Sequence, residues 1–258
     1  MVFLPLYALF RRECKRFLRV PGQSILTPIV TSSLYLLIFG VSLAKSLQFF
    51  SLNYLEFLLP GLIMMGTINN AYLNSCSSLI ISKYYGDIED LKIAPLSTFV
   101  ILQGMALASS VRAFLVALSI FLVGNIFCKA QLDTWLVPNH PLLALYIVWV
   151  AGYSFGLLST AVGATAKTFE TLNSISQFIL LPLIYLGGIF YPTNYLPSFW
   201  QKIAYCNPMF YYIDSFRYAF FSVSEIQPSF SVAFVTIFFG LFYVCSYICI
   251  SKASFKRT

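Results

Sequence analysis

An all-α integral membrane protein is the fold class that three features of this chain predict. Of its 258 residues, 59% are hydrophobic and only 10% charged, and the mean hydropathy is +0.81. A soluble domain carries about 25% charged residues. Apolar runs of roughly twenty residues, long enough to cross the hydrocarbon as helices, recur at 25–47, 54–80, 98–128, 141–165, 174–191 and 228–250. The expectation is six transmembrane helices, an N-terminal amphipathic interfacial helix before them, and a re-entrant helical hairpin before the last span. No linker or low-complexity tract interrupts residues 1–258, so they read as a single membrane domain.

Residues 3–20 set Arg11, Lys15 and Arg19 on one helical line with Arg12 and Arg16 beside it, while Leu6, Phe10, Cys14, Phe17 and Leu18 lie opposite. That pattern predicts a helix lying in the membrane surface, its basic face toward anionic headgroups. Met1 to Phe10 is apolar ahead of its charges and lacks a small-x-small cleavage site, the reverse of a secretory signal, so no cleavage is expected. With six spans both termini share one side. Placed in the cytoplasm, that side holds Arg11, Arg12, Lys15, Arg16, Arg19, Lys83, Lys92, Lys167, Lys252, Lys256 and Arg257, against Lys45, Lys129, Lys202 and Arg217 outside. This satisfies the positive-inside rule. Sixteen Lys and Arg against nine Asp and Glu form no stripe, which argues against nucleic acid as a partner.

Span 2 carries Asn69, Asn70 and Asn74, and span 3 carries Arg112 near its middle. A guanidinium at that depth is costly unless it is paired or faces water. Arg112 sits about 21 Å up span 3 at ~1.5 Å per residue, level with residues 68–70 of antiparallel span 2. Asn69 and Asn70, with Asn74 a turn below, are its expected partners; it anchors two helices or touches a transported molecule. Asn69, Asn70, Asn74, Arg112 and the stretch from Phe178 to Tyr185 in span 5 combine polarity, aromatic surface and depth, and are the candidate pathway residues.

Between spans 2 and 3, Asp87, Glu89 and Asp90 favour a helix N-terminus, Ile88, Leu91 and Ile93 give it an apolar face, and Pro95 ends it. Such a helix at 83–95 docks another protein or is a capped, solvated turn. In span 4, Gly152, Gly156, Thr160 and Ala164 form a small-residue ridge for close helix packing. Asp214 and Arg217, three apart, can pair on one helical face. From 187 to 217, Gly187 and Gly188 let a helix bend, Pro192 and Pro197 keep the next pieces from continuing it, and Trp200 suits the outer interface. This is the re-entrant hairpin, expected to roof a path as a gate.

Catalytic signatures are weak. The six cysteines have no Cys-x-x-Cys spacing and the chain has one histidine, so no metal site is expected. No Gly-Lys dipeptide occurs, hence no phosphate-binding loop for ATP. Gly152-Tyr153-Ser154-Phe155-Gly156 matches Gly-x-Ser-x-Gly, but inside an apolar span, and His140 is about 21 Å away along a helix. A membrane serine hydrolase is thus disfavoured. An ion-coupled secondary carrier would need an acid within a span, for which Glu56 is the nearest candidate.

An ordered series of motifs runs through the chain. It begins with Phe57-Leu58-Leu59-Pro60-Gly61-Leu62-Ile63-Met64-Met65 and Asn70-Ala71-Tyr72, then Ile88-Glu89-Asp90-Leu91 with Ala94-Pro95, then Ala166-Lys167-Thr168-Phe169. It continues with Leu186-Gly187-Gly188-Ile189-Phe190-Tyr191, Leu196-Pro197 with Phe199-Trp200-Gln201, Asn207-Pro208 and Phe216-Arg217-Tyr218. In this order and spacing the chain resembles the membrane permeases of type 2 ABC exporters, and among them the YadH-like bacterial permeases. The resemblance implies a half-transporter without ATP-binding motifs of its own, working as a homodimer in the bacterial inner membrane. Two copies of a separate ABC ATPase subunit would bind ATP and Mg and hydrolyse the nucleotide. Residues 3–20 would be the connecting helix. Asp87, Ile88, Glu89, Asp90, Leu91 and Pro95 would form the coupling helix, with Lys167 in a second cytoplasmic contact at 166–173. The cargo is not fixed by the resemblance, and a polysaccharide or glycolipid exporter is the alternative within the class.

Overall fold

The computed structural model describes residues 3–42, 48–86, 94, 96–166 and 168–252. The first helix, α1 (Phe3–Leu18), turns Leu9, Glu13 and Phe17 into the protein and leaves Phe3, Leu4, Tyr7 and Leu18 exposed. Its inward face differs from the one the sequence pattern indicates. Glu13, the acid in a basic helix, is buried between Arg12 and Arg16, so part of the charged face packs on protein rather than on headgroups. Helix α2 (Gly22–Val41) is α-helical at Thr27–Tyr35 and π-helical at both ends. It starts three residues earlier than the apolar run that predicts it.

A two-residue hairpin, β1 (Gln48–Phe49) and β2 (Leu52–Asn53), comes after α2 and turns on Phe50 and Ser51, both at positive φ. The apolar pattern gives no sign of it. Asn53 then caps α3 (Tyr54–Tyr85), its side chain receiving the N3 amide while Glu56 accepts from the Asn53 amide at 2.9 Å. Such a reciprocal cap satisfies two otherwise orphan donors. It also occupies Glu56, so the acid that an ion-coupled carrier would need serves a helix end.

Helix α3 has the deepest setting in the bundle, with Leu55, Leu58, Leu59, Met64, Ile68 and Tyr72 wholly buried. It packs against α4 (Thr98–Leu132) and α5 (Pro141–Thr165), which also pack on each other. The chain continues through α6 (Phe169–Leu186), a short 3-10 turn (Thr193–Tyr195), α7 (Ser198–Cys206), α8 (Pro208–Phe221) and α9 (Pro228–Lys252). Helix α9 lies on α5 and α8. Among the described residues, α2, α4, α5, α6 and α9 are long and apolar enough to cross a membrane. Helix α3, at 32 residues, is long enough but more polar, carrying Asn69, Asn70 and Asn74 with several serines.

Two boundaries matter for the site. Helix α3 continues to Tyr85, five residues past its apolar run, and ends on Gly86 at φ 84. Lys83 there donates to the carbonyls of Gly163, Ala164 and Ala166 at 2.9, 2.7 and 2.7 Å, tying the end of α3 to the end of α5. Helix α6 starts at Phe169, capped by Thr168, and stops at Leu186 rather than 191, because Gly188 turns the chain at φ 84. A side chain on Gly187 would come within 2.8 Å of Ile213 in α8, so glycine there permits a close approach.

Lipid tails are as apolar as leucine, so tight packing rather than burial of oil holds such bundles together. The span 4 ridge packs accordingly. A Cβ on Gly156 would lie 2.7 Å from the Ser109 Cβ and 3.2 Å from the Ala106 Cα of α4. Gly156→Val is therefore expected to destabilise the purified protein by about 1–3 kcal/mol through overpacking. Gly240→Ala, where nothing lies within 4 Å, is the control. Thermal unfolding in detergent should separate the two; equal midpoints would show that the α4–α5 seam is not tightly packed.

Candidate functional site

A cavity of about 560 Å³ opens between the end of α1, α2, α3 and the start of α6, with α4 supplying Arg112. Its wall mixes polar side chains (Gln23, Asn69, Asn70, Asn173) with apolar ones (Phe17, Met65, Leu73, Leu172). Arg112 is 8% exposed and donates through Nη2 to the Asn70 Oδ1 at 3.2 Å. Asn70 in turn donates to the Gly66 carbonyl one turn back, at 3.0 Å. Its neighbour Asn69 accepts from Ser176 of α6 at 3.4 Å. These adjacent asparagines thus serve α4 and α6: of the partners expected for Arg112, Asn70 bonds to it, whereas Asn69 bonds to Ser176 instead.

Asn74, one turn further along, has a different role. It is wholly buried, donates to the Ser109 hydroxyl at 3.2 Å, and accepts from Arg16 Nη2 at its side chain (3.0 Å) and its carbonyl (2.7 Å). Arg16 also donates from Nε to Glu13 at 3.0 Å. Glu13, Arg16 and Asn74 therefore clamp α1 to α3. The sequence reading missed Glu13 and this role for Arg16. The available signal was the 13/16 spacing, which places opposite charges one turn apart. Phe178 and Tyr185 do not join Arg112. Phe178 is 80% exposed on the outside of α6. Tyr185 meets the Tyr35 hydroxyl at 2.8 Å beside Phe190, at the far end of α2.

At that end, residues 187–217 are helical in α7 and most of α8, with α8 running on to Phe221. Asn207 caps α8 through its side-chain oxygen and donates to the Leu183 carbonyl of α6. Trp200 is half-exposed, and Pro192 and Pro197 bracket the 3-10 turn. Asp214 and Arg217 do not form the pair that their spacing indicates. Arg217, 1% exposed, donates to the Gly188 carbonyl at 2.7 Å, lies 3.9 Å from Glu225 and sits 4.0 Å over the Phe57 ring. Asp214 instead accepts from the Glu225 amide at 2.8 Å and the Ser231 hydroxyl at 2.9 Å. The chain after α8 turns at Ser222, φ 56, and brings Glu225 back to these groups. A spacing argument within one helix cannot anticipate that return.

Ser154 lies in the unbroken helix α5 and receives the Tyr212 hydroxyl at 3.0 Å, so the strained turn of a nucleophile elbow is missing there. His140 precedes α5 and stacks on Tyr218. Asp87, Ile88, Glu89, Asp90, Leu91, Pro95 and Lys167 lie outside the described residues.

Residues 5–221 match the ABC-2 type transporter family. The chain belongs to that family. The inner membrane transport permease YadH of Escherichia coli K12 is 32% identical over 259 residues, covering 100% of this chain and 99% of the relative. A putative transport permease, ycf38, of Cyanophora paradoxa is 29% identical over 243 residues, 91% of this chain and 81% of the relative. The daunorubicin resistance ABC transporter permease protein DrrB1 of Streptomyces coeruleorubidus is 24% identical over 201 residues, 77% of this chain and 68% of the relative. An ABC-2 type permease is the membrane subunit of an ABC transporter, and the long apolar helices of this chain are its transmembrane part.

Proposed function

We propose that this permease is an export half-transporter. It has six spans, α2 to α6 and α9, lies in the bacterial inner membrane with both termini in the cytoplasm, and forms a homodimer. Two copies of a separate ABC ATPase dock beneath it and supply the work of ATP hydrolysis, with ATP and Mg held on those copies. The observation that carries this reading is similarity over the whole length to a permease named for transport in the inner membrane. Two structural features support it. Helices α2 and α6 present apolar residues outward, among them Leu34, Leu37, Ile38, Phe178 and Ile179, as surfaces for a second copy and for lipid. The ends of α3 and α5 meet through Lys83, next to the segments at 87–95 and 167 that would receive the ATPase.

In this reading the cavity at Arg112 is part of the cargo path on the cytoplasmic half. The 187–217 hairpin is a helical gate on the outer half, close to the two-fold axis of the dimer. The test is purification of the tagged chain from membranes of its source in mild detergent. A homodimer should emerge together with an ATPase that has a phosphate-binding loop, and the complex should hydrolyse ATP in a vanadate-sensitive way. A monomer with no such ATPase would overturn the proposal. Labelling single cysteines from outside the cell checks the gate: slow, position-dependent reaction from Tyr195 to Tyr205 is expected, and uniformly rapid reaction would mean a solvated loop.

A further inference from the structure

We infer that the cavity at Arg112 holds the anionic headgroup of an amphiphile, a phosphate or carboxylate joined to an alkyl chain. The first argument is charge. No described carboxylate forms an ion pair with Arg112; Glu13 pairs with Arg12 and Arg16, Asp133 with Lys129 and Glu225 with Arg217. An arginine within a span is rare without a compensating charge or water. The second argument is the donor count. A guanidinium offers five N–H donors, yet the hydrogen bond to Asn70 uses one Nη2 donor, and the buried Nε has no partner. A purely structural anchor to Asn70 leaves most of those donors unused. A phosphate or carboxylate in the cavity that Arg112 lines would meet the remaining Nη donors, in the manner that arginine suits.

The third argument is the wall. At about 560 Å³ the cavity lies within the usual range for small-ligand sites, roughly 300–1,000 Å³. Asn70 on its wall is bonded to Arg112, while Met65, Leu73 and Leu172 line it with apolar surface. Beside it α2 exposes Leu26, Val30 and Leu34, an apolar flank along which an alkyl chain can lie as its headgroup enters. Arg16 on the same wall adds positive potential, although its own donors are engaged by Glu13 and Asn74.

This inference deepens the reading of the cavity as cargo path and rests on it. The test titrates the full-length chain in a neutral detergent with dodecyl phosphate, dodecyltrimethylammonium and inorganic phosphate, read by calorimetry. Dodecyl phosphate should bind at one site per chain, the cationic amphiphile should not compete, and inorganic phosphate should bind far more weakly. Arg112→Gln should weaken dodecyl phosphate at least tenfold. Leu73→Trp, which fills the cavity and leaves the guanidinium intact, should weaken it likewise and decides the matter if Arg112→Gln does not fold. Unchanged binding in a folded Arg112→Gln protein, equal binding of the cationic amphiphile, or equally tight inorganic phosphate would overturn the assignment. Binding through Arg112 that leaves ATP hydrolysis by the reconstituted complex unaltered would sustain the headgroup site and overturn the cargo-path reading instead.

Discussion

Arg217→Leu is expected to destabilise the protein more than any other single change at its end of the bundle. Its guanidinium links four pieces of chain: the Gly188 turn, Glu225 beyond α8, the Phe57 ring of α3, and α8 itself. Removing it leaves Glu225, whose side chain is fully buried, with Thr193 as its side-chain hydrogen-bond partner. Breaking a buried pair from one side typically costs about 3–5 kcal/mol, because the other charge stays behind without compensation. The orphaned charge carries the argument, so the double variant Arg217→Leu with Glu225→Gln should recover a substantial part of the loss. Thermal unfolding of the wild type, both single variants and the double variant in one detergent gives the cycle. Additive losses would show that the two side chains do not interact and that Arg217 acts through Gly188 and Phe57 alone.

That cluster also shows where sequence reasoning reached its limit. Helices were legible because their apolar length is a property of the chain itself: Pro141–Thr165 was delimited to the residue by Pro at its start and Ala166-Lys167 at its end. Other ends moved for reasons no hydropathy window sees. Helix α3 runs past its apolar run because Lys83 finds carbonyls on α5, and α6 stops early because Gly188 adopts a left-handed turn. In the site, Arg112 and Asn70 were legible because both are polar where polarity is costly and stand at one level on neighbouring antiparallel helices. Glu225 was not, since it reaches Arg217 only through the turn at Ser222. Glu13 was obscured by the basic residues around it, whose charge pattern reads as a headgroup face until the fold turns one side of it inward.

Polar contacts at the end of the bundle that carries Lys83 join α1, α3, α4 and α5. Arg16 holds α1 to Asn74, Asn74 holds α4 through Ser109, and Lys83 holds α5. If the proposed ATPase contact moves the loop between α3 and α4, these contacts would carry the displacement to α1 and α5 together, and so toward the wall of the cavity. The contacts join helices at both sides of Arg112, whose own bond to Asn70 crosses the same α3–α4 seam.

The loop between α3 and α4 is where that displacement would enter, and reversing its charge is expected to have the largest functional effect. The acids Asp87, Glu89 and Asp90 come directly after the end of α3 at Tyr85, and Ser97 caps α4 by accepting from the Val100 amide at 3.3 Å. Both helix ends that carry the loop are thus fixed, one by Lys83 and one by a cap. We expect the acids to meet a basic groove on the ATPase, where a reversed charge opposes like charge at a cost of several kcal/mol. On the order of 3 kcal/mol corresponds to more than a hundredfold in affinity. Glu89→Lys with Asp90→Lys should therefore insert in the membrane and purify as a dimer, yet lose the ATPase on purification and lose any ATP hydrolysis that depends on the permease. The uncharged pair Glu89→Gln and Asp90→Asn should sit between wild type and the reversed variant. Salt titration of the wild-type complex gives an independent reading, because contacts between exposed charges weaken as ionic strength rises. A doubly reversed permease that retains its ATPase at wild-type yield would show that the acidic segment is a solvated turn and that coupling passes elsewhere, with Lys167 in the second inner segment the next position to test.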